Sequence, residues 1–144
     1  MGKETKLERL DFLNVSDELR QRSQECLDRV LKDHEIRFTE LSPDCAVGVL
    51  KVREERLNQY GMVYGGDVFN LMDVVAGVAN LCGGGYGPTV SGNIDYISST
   101  RGQKELICRG TARKVGRTFS HIDTEVLGED GRLLAKGAFI YYNH

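Results

Sequence analysis

The spacing of apolar and polar positions changes several times along this chain, and each change marks an element. After Ser16, the residues Leu19, Cys26, Leu27, Val30 and Leu31 form a stripe at helical spacing. Ser16 suits an N-cap, and Asp17 and Glu18 suit a first turn, where carboxylates meet the positive end of the helix dipole. This predicts an amphipathic surface helix ending near His34. Segments 35–41 and 46–53 read as strands joined by the turn Ser42-Pro43-Asp44. From 66 to about 82 the helical period returns with Val68, Leu71, Met72, Val75, Val78 and Ala79, until Gly83-Gly84-Gly85 stops it. Strand-like segments follow at 89–98, 105–115, 119–127 and 133–142, with hairpin turns at Gly116-Arg117 and Glu129-Asp130-Gly131.

The second helix differs in kind from the first. From Leu57 through Thr100 the chain contains no Lys, Arg or Glu. A helix with almost no charged face is covered by protein on most sides. Its small-residue positions, Ala76 and Gly77, would let a neighbouring helix approach closely. The predicted class is therefore α+β, a long antiparallel sheet wrapped around one buried helix. Residues 1–15 read as a loose leader. The boundaries are 1–34 for leader and amphipathic helix, and 35–144 for the sheet and its helix.

Composition narrows the function. With 144 residues, 40% hydrophobic and 28% charged, the chain is long enough for one well-cored domain. A net charge of −2 gives no electrostatic case for a nucleic-acid or membrane partner. No apolar run is long enough to span a bilayer, and the N-terminus lacks a signal-peptide core, so a cytoplasmic location is expected. Cys26, Cys45, Cys82 and Cys108 form no C-x-x-C pair, and His34, His121 and His144 are scattered. Reduced, mostly core-filling thiols are expected, with no metal site.

The candidate chemistry lies between Asn58 and Asp73. Gly65 and Gly66 open the second helix, where backbone N–H groups have no intrahelical partner and sit at the positive end of the dipole. Such donors can hold a developing oxyanion, and a nearby carboxylate can act as nucleophile or general base. Asp73 has no cation within a helical turn in sequence, so a surface ion pair does not explain it. Asp67, in the first turn, is explained by dipole compensation. The plainer readings are a tight turn for the glycines, a loop closed by the Asn58 side chain, and a mid-strand hydroxyl at Ser91. Arg113, Lys114 and Arg117 cluster at a hairpin, where charges are usually just solvated, though phosphate groups need such cations.

The element order and the Asn58–Asp73 segment resemble the hotdog-fold acyl-CoA thioesterases of the phenylacetate-degradation type, over roughly residues 35–142. The family pattern has an Asn in a loop, then His-Gly-Gly, an Asp nine residues past the His, and a polar residue in the next strand. Here Asn58, Gly65, Gly66, Asp73 and Ser91 occupy those places, and Tyr64 stands where the family has histidine. The resemblance implies hydrolysis of an acyl-CoA to free acid and coenzyme A. The Gly65 N–H would polarise the carbonyl, Asp73 would attack or activate water, and Asn58 and Ser91 would assist. Tyr64 and Gly66 would line the site, and Arg113, Lys114 and Arg117 would meet the coenzyme A phosphates. It implies no cofactor beyond that substrate and a homodimer, often a dimer of dimers. In that dimer Asn58, Tyr64 and Gly65 would come from one subunit, Asp73 and Ser91 from the other. Two rivals share the fold. One is a hydrolytically weak acyl-CoA binder, motivated by Tyr64. The other is a hydratase, which would need a histidine near the site.

Overall fold

The structure, a computed structural model, describes residues 8–144. In chain order the elements are α1 (Asp17–Asp33), β1 (Ile36–Ser42), β2 (Cys45–Lys51), α2 (Gly65–Cys82), β3 (Thr89–Tyr96), β4 (Glu105–Val115), β5 (Phe119–Leu127) and β6 (Leu133–Tyr142), with one 3₁₀ turn at Glu54–Arg56. The strands form a single antiparallel sheet in the order β1-β2-β4-β5-β6-β3. The sheet wraps α2, as the pattern predicts, and the arrangement is the hotdog fold that the resemblance implies.

Packing explains why α2 sits at the centre. Val68, Leu71, Met72, Val75, Val78 and Ala79 are all buried, as the helical period predicts. Each large aliphatic among them contributes about 1.5–3 kcal/mol on burial. The sheet makes room for the helix at Gly48 of β2, where a Cβ would lie 2.9 Å from Val75 and 2.7 Å from Ile36. Gly84, at φ +94, ends the helix in the left-handed region, with its N–H and that of Gly85 bonded back to Leu81 and Asn80 at 3.0 and 2.8 Å.

Two expectations need correction. Residues 8–15 are not a loose leader. Leu10 and Leu13 are buried in the same core cluster as Leu27 and α2. Gln24, buried on α1, accepts from the Leu10 N–H at 2.8 Å and donates to the Glu8 carbonyl. Arg20 donates to the Leu13 carbonyl at 2.8 Å. A glutamine and an arginine on a polar-looking helix gave no hint of this clamp. Residues 1–7 lie outside the described residues. The second correction is Ala76, which is fully buried in the core and lies on no outer small-residue face.

Cover on α2 is also incomplete in the single chain. Gly66 and Asn70 are exposed, and Asp73, Val74 and Gly77 are half-buried. These positions share one face at spacings of three and four. β3 borders the sheet, pairing only with β6. Its free edge carries exposed Val90 and Tyr96, with Ile97 just beyond.

A register shift in β3 decides which of its side chains reach α2. Thr89 pairs with Tyr141, while Ser91 pairs with Ile140 and Gly92 with Phe139. The extra residue between Thr89 and Ser91 is a bulge, so these two side chains, two apart in sequence, fall on opposite faces.

Candidate active site

Asp73 lies two turns into α2, and its carboxylate is held from the sheet. The Thr89 hydroxyl donates to Asp73 Oδ1 at 2.7 Å. The Tyr141 hydroxyl lies 2.9 Å from the same oxygen and 2.7 Å from the Asp73 backbone carbonyl. Burial first, then the Asp73 charge, pushes the Tyr141 phenol well above its usual range, so it stays a donor. Asp73 Oδ2 has no partner among the described residues. Two neutral hydroxyls, rather than a cation, satisfy one of its oxygens.

Asp73 opens onto a groove of about 370 Å³. Val74, Gly77, Val78 and Leu81 of α2 form one side, Cys26 and Val30 of α1 another, and Tyr86, Pro88 and His144 close it. The surface is mostly apolar. Arg22 stacks 4.4 Å over the Tyr86 ring at its wall. The thiols fit the reduced expectation, since all four are free. Burial and the nearby Glu40 push Cys45 up to about 11, and burial pushes Cys82 up to about 12. Cys26 differs from the other three in lining the groove.

The other predicted residues gather at the start of α2. Tyr64 is the N-cap residue, and its carbonyl accepts from Asp67 and Val68 at 3.0 and 3.1 Å. The Gly65 and Gly66 N–H groups take no partner among the described residues, which leaves two donors at the positive end of the dipole. A Cβ on Gly65 would meet the Tyr96 hydroxyl at 3.0 Å, whereas Gly66 faces open space. The Tyr64 side chain is 50% exposed and makes no capping bond.

Asn58 does close its loop. Its Oδ1 accepts from the Tyr60 and Met62 N–H groups at 2.9 and 3.0 Å. Two donors on the oxygen fix which way the amide faces, so the Nδ2 group is left free to donate. Asn58 and Gly65 share a second, smaller pocket of about 190 Å³ with Tyr96, Ser98 and Thr100.

These two clusters do not meet within one chain. Gly65 and Asp73 are separated by about 12 Å of helix rise. Ser91 is a further correction, because the bulge turns it to the sheet face opposite Asp73, and no hydrogen bond joins the two among the described residues. Thr89 takes that place. Arg113, Lys114 and Arg117 sit exposed at the β4–β5 hairpin, and Arg113 is engaged by Asp123 at 2.7 Å. The hairpin is tied to the C-terminal segment, with Asn143 bonded to the carbonyls of Thr118 and Gly116 at 2.7 and 2.8 Å. The turn at Gly116–Thr118 therefore lies beside Asn143, and none of the three basic side chains lines the groove.

Comparison with known proteins decides the family. The family model described as thioesterase superfamily matches residues 60–135, more than half of the chain. The chain belongs to the thioesterase superfamily. Membership makes it a thioester hydrolase by class. Acyl-coenzyme A thioesterase 13 of Mus musculus is 27% identical over 113 residues, covering 76% of this chain and 79% of the mouse protein. A hypothetical thioesterase of Streptococcus pneumoniae, solved with coenzyme A, superposes with a TM-score of 0.77 at 24% identity over 82% of this chain and 96% of that one. A Streptococcus mutans protein bound to acetyl CoA gives 0.74 at 23% identity over 78% and 90%. These two likenesses show the fold. No helix among the described residues is long and apolar enough to cross a membrane.

Proposed function

We propose that this chain hydrolyses the thioester of an acyl- or aryl-coenzyme A, at a site divided between two copies of itself. The observation that carries the proposal is Asp73, with one oxygen held by two hydroxyls and the other free at the mouth of an apolar groove. The names of the relatives and the coenzyme A forms in the solved neighbours support the substrate class. Two further solved structures of the pneumococcal protein are variants in which an aspartate and a threonine are each replaced by alanine. Those positions are 16 residues apart, the separation of Asp73 and Thr89 here.

In the proposed reaction, the thioester oxygen accepts from the Gly65 N–H, which stabilises the charge that grows there as the carbonyl carbon becomes tetrahedral. Asp73 either attacks that carbon to give an anhydride, which water then opens, or draws a proton from an attacking water. In both versions the C–S bond breaks, coenzyme A leaves as the thiol, and the net reaction adds one water. Asn58 Nδ2 adds a second donor near the carbonyl. The open space at Gly66 admits the substrate, Tyr64 lines its path, and Arg113, Lys114 and Arg117 meet its phosphates. Ser91, on the far face of β3, has no part.

A second copy is needed because the donors and the carboxylate are about 12 Å apart along one helix. The free edge of β3, with exposed Val90 and Tyr96, is the kind of edge that pairs with another strand. Joining two such edges leaves the half-covered face of each α2 to be shielded by the partner. A homodimer, or a pair of dimers, working in the cytoplasm fits these features. Thiol release from a panel of acyl-coenzyme A substrates tests the activity. Turnover of at least one supports it. Saturable binding with no thiol release on any would favour the second reading, a binder in which Tyr64 has replaced the family histidine.

A further inference from the structure

We infer that Tyr141 is a positioning residue for the reaction, and that together with Thr89 it commits Asp73 Oδ1 to the protein, leaving Oδ2 as the oxygen that does the chemistry. This rests on the thioesterase proposal for the same site. Thr89 and Tyr141 are direct cross-strand partners on β3 and β6, so both side chains leave the sheet on the α2 face at one level. Their hydroxyls converge on a single carboxylate oxygen at 2.7 and 2.9 Å. A carboxylate with one oxygen bound twice cannot rotate freely, so the free oxygen keeps one direction.

Tyr141 adds what Thr89 cannot. Its single O–H proton is shared between Oδ1 at 2.9 Å and the Asp73 backbone carbonyl at 2.7 Å, so one donor spans the carboxylate and the backbone that carries it. The residue is only 3% exposed, so its hydroxyl is shielded from competing water. Gly77, one turn along α2, lies beside the ring: a Cβ there would sit 3.6 Å from it, in ordinary van der Waals contact.

The test compares Tyr141→Phe, Thr89→Ala and the double variant with the parent and with Asp73→Asn, using an acyl-coenzyme A that the parent cleaves. Phenylalanine keeps the ring and removes only the donor. The expected result is a fall in kcat of about tenfold or more, with KM within about twofold, the range of a lost hydrogen bond to a charged group. A purely structural role would lower Tm and the fraction of folded protein while leaving kcat per folded site and KM unchanged. The double variant should lose less than the product of the single losses, since both hydroxyls serve one oxygen. Parental kcat in Tyr141→Phe, with Asp73→Asn inactive, would overturn this inference and leave the thioesterase proposal standing. An Asp73→Asn protein as active as the parent would overturn both.

Discussion

The two ends of the candidate site are built in opposite ways. At Asp73 the single chain supplies everything: a helix to carry the carboxylate, two strands in register to hold it, and an apolar groove beside it. At Gly65 the chain supplies only donors. Two backbone N–H groups and the Asn58 Nδ2 take no partner among the described residues, and a half-exposed tyrosine flanks them. A finished carboxylate and unfinished donors on one helix, about 12 Å apart, make sense when each completes a site on a neighbouring copy. The same division explains why Lys, Arg and Glu are absent between Leu57 and Thr100, leaving Asp67, Asp73 and Asp95 as the charged residues there. That stretch spans both half-sites and the open β3 edge, and charge there would have to be desolvated on assembly.

The carboxylate half should show the largest effect. Asp73→Asn preserves shape and removes the nucleophile or base, so turnover should fall by about 10²–10⁴ while the protein stays folded. Steady-state thiol release, with circular dichroism as the fold control, checks this. Hydrolysis near the parental rate would remove Asp73 from the chemistry.

The donor half can be broken almost as cleanly. Gly65 is the first helical residue, where proline is well tolerated because its missing N–H leaves no intrahelical bond unmade. Tyr64, at φ −55 and ψ 137, already has the backbone that a following proline requires. The new ring would press on the Tyr96 hydroxyl, which donates to the Gly65 carbonyl at 2.6 Å, at the end of a side chain that is 55% exposed and has solvent to swing into once that bond lengthens. Gly65→Pro should therefore fold and lose about 10²–10³ in kcat, the usual worth of one oxyanion donor. Gly65→Ala, which keeps the N–H, should lose far less. Equal losses in the two would point to crowding rather than to the donor.

A smaller effect separates Thr89 from Ser91. Thr89→Ala should lower kcat by about tenfold, as expected for a hydrogen bond to a charged group. Ser91→Ala should stay within about twofold, since the side chain lies on the other face of the sheet. The reverse order would mean that the β3 bulge is misplaced. The smallest expected change is at Tyr64. Tyr64→Phe should shift KM or acyl preference with little loss of kcat, because a phenol with a pKa near about 10 is a poor base at neutral pH. A loss of tens-fold in kcat would show that the hydroxyl orients the thioester.

Much of this was legible in the sequence. The helical stripe from Val68 to Ala79, the stop at Gly83-Gly84-Gly85 and the alternating strands each depend on local periodicity, and all appear where the pattern puts them. Asp73 and Gly65 were legible because a helix start, and an acid beyond the first turn of a helix without cations, are local signals. Ser91 misled because the resemblance placed it by its spacing along the chain, and only the pairing with β6 reveals the extra residue. Tyr141 was invisible for a related reason. It lies 68 residues from Asp73, and nothing local marks it out from the other tyrosines. The clamp of residues 8–15 by Gln24 likewise depends on a polar side chain spent on backbone far away in sequence.

The most direct test of the divided site is complementation between two inactive chains. Gly65→Pro and Asp73→Asn proteins are unfolded together, refolded as a mixture and assayed for thiol release against each protein refolded alone. If the donors of one copy serve the carboxylate of another, each mixed dimer contains one wholly native site and one doubly defective site. Random pairing then restores about a quarter of the parental activity, given two equivalent sites per symmetric dimer. Activity no higher than the average of the two variants refolded alone, with mixed dimers shown to be present, would place Gly65 and Asp73 in the same site of a single chain and contradict the account.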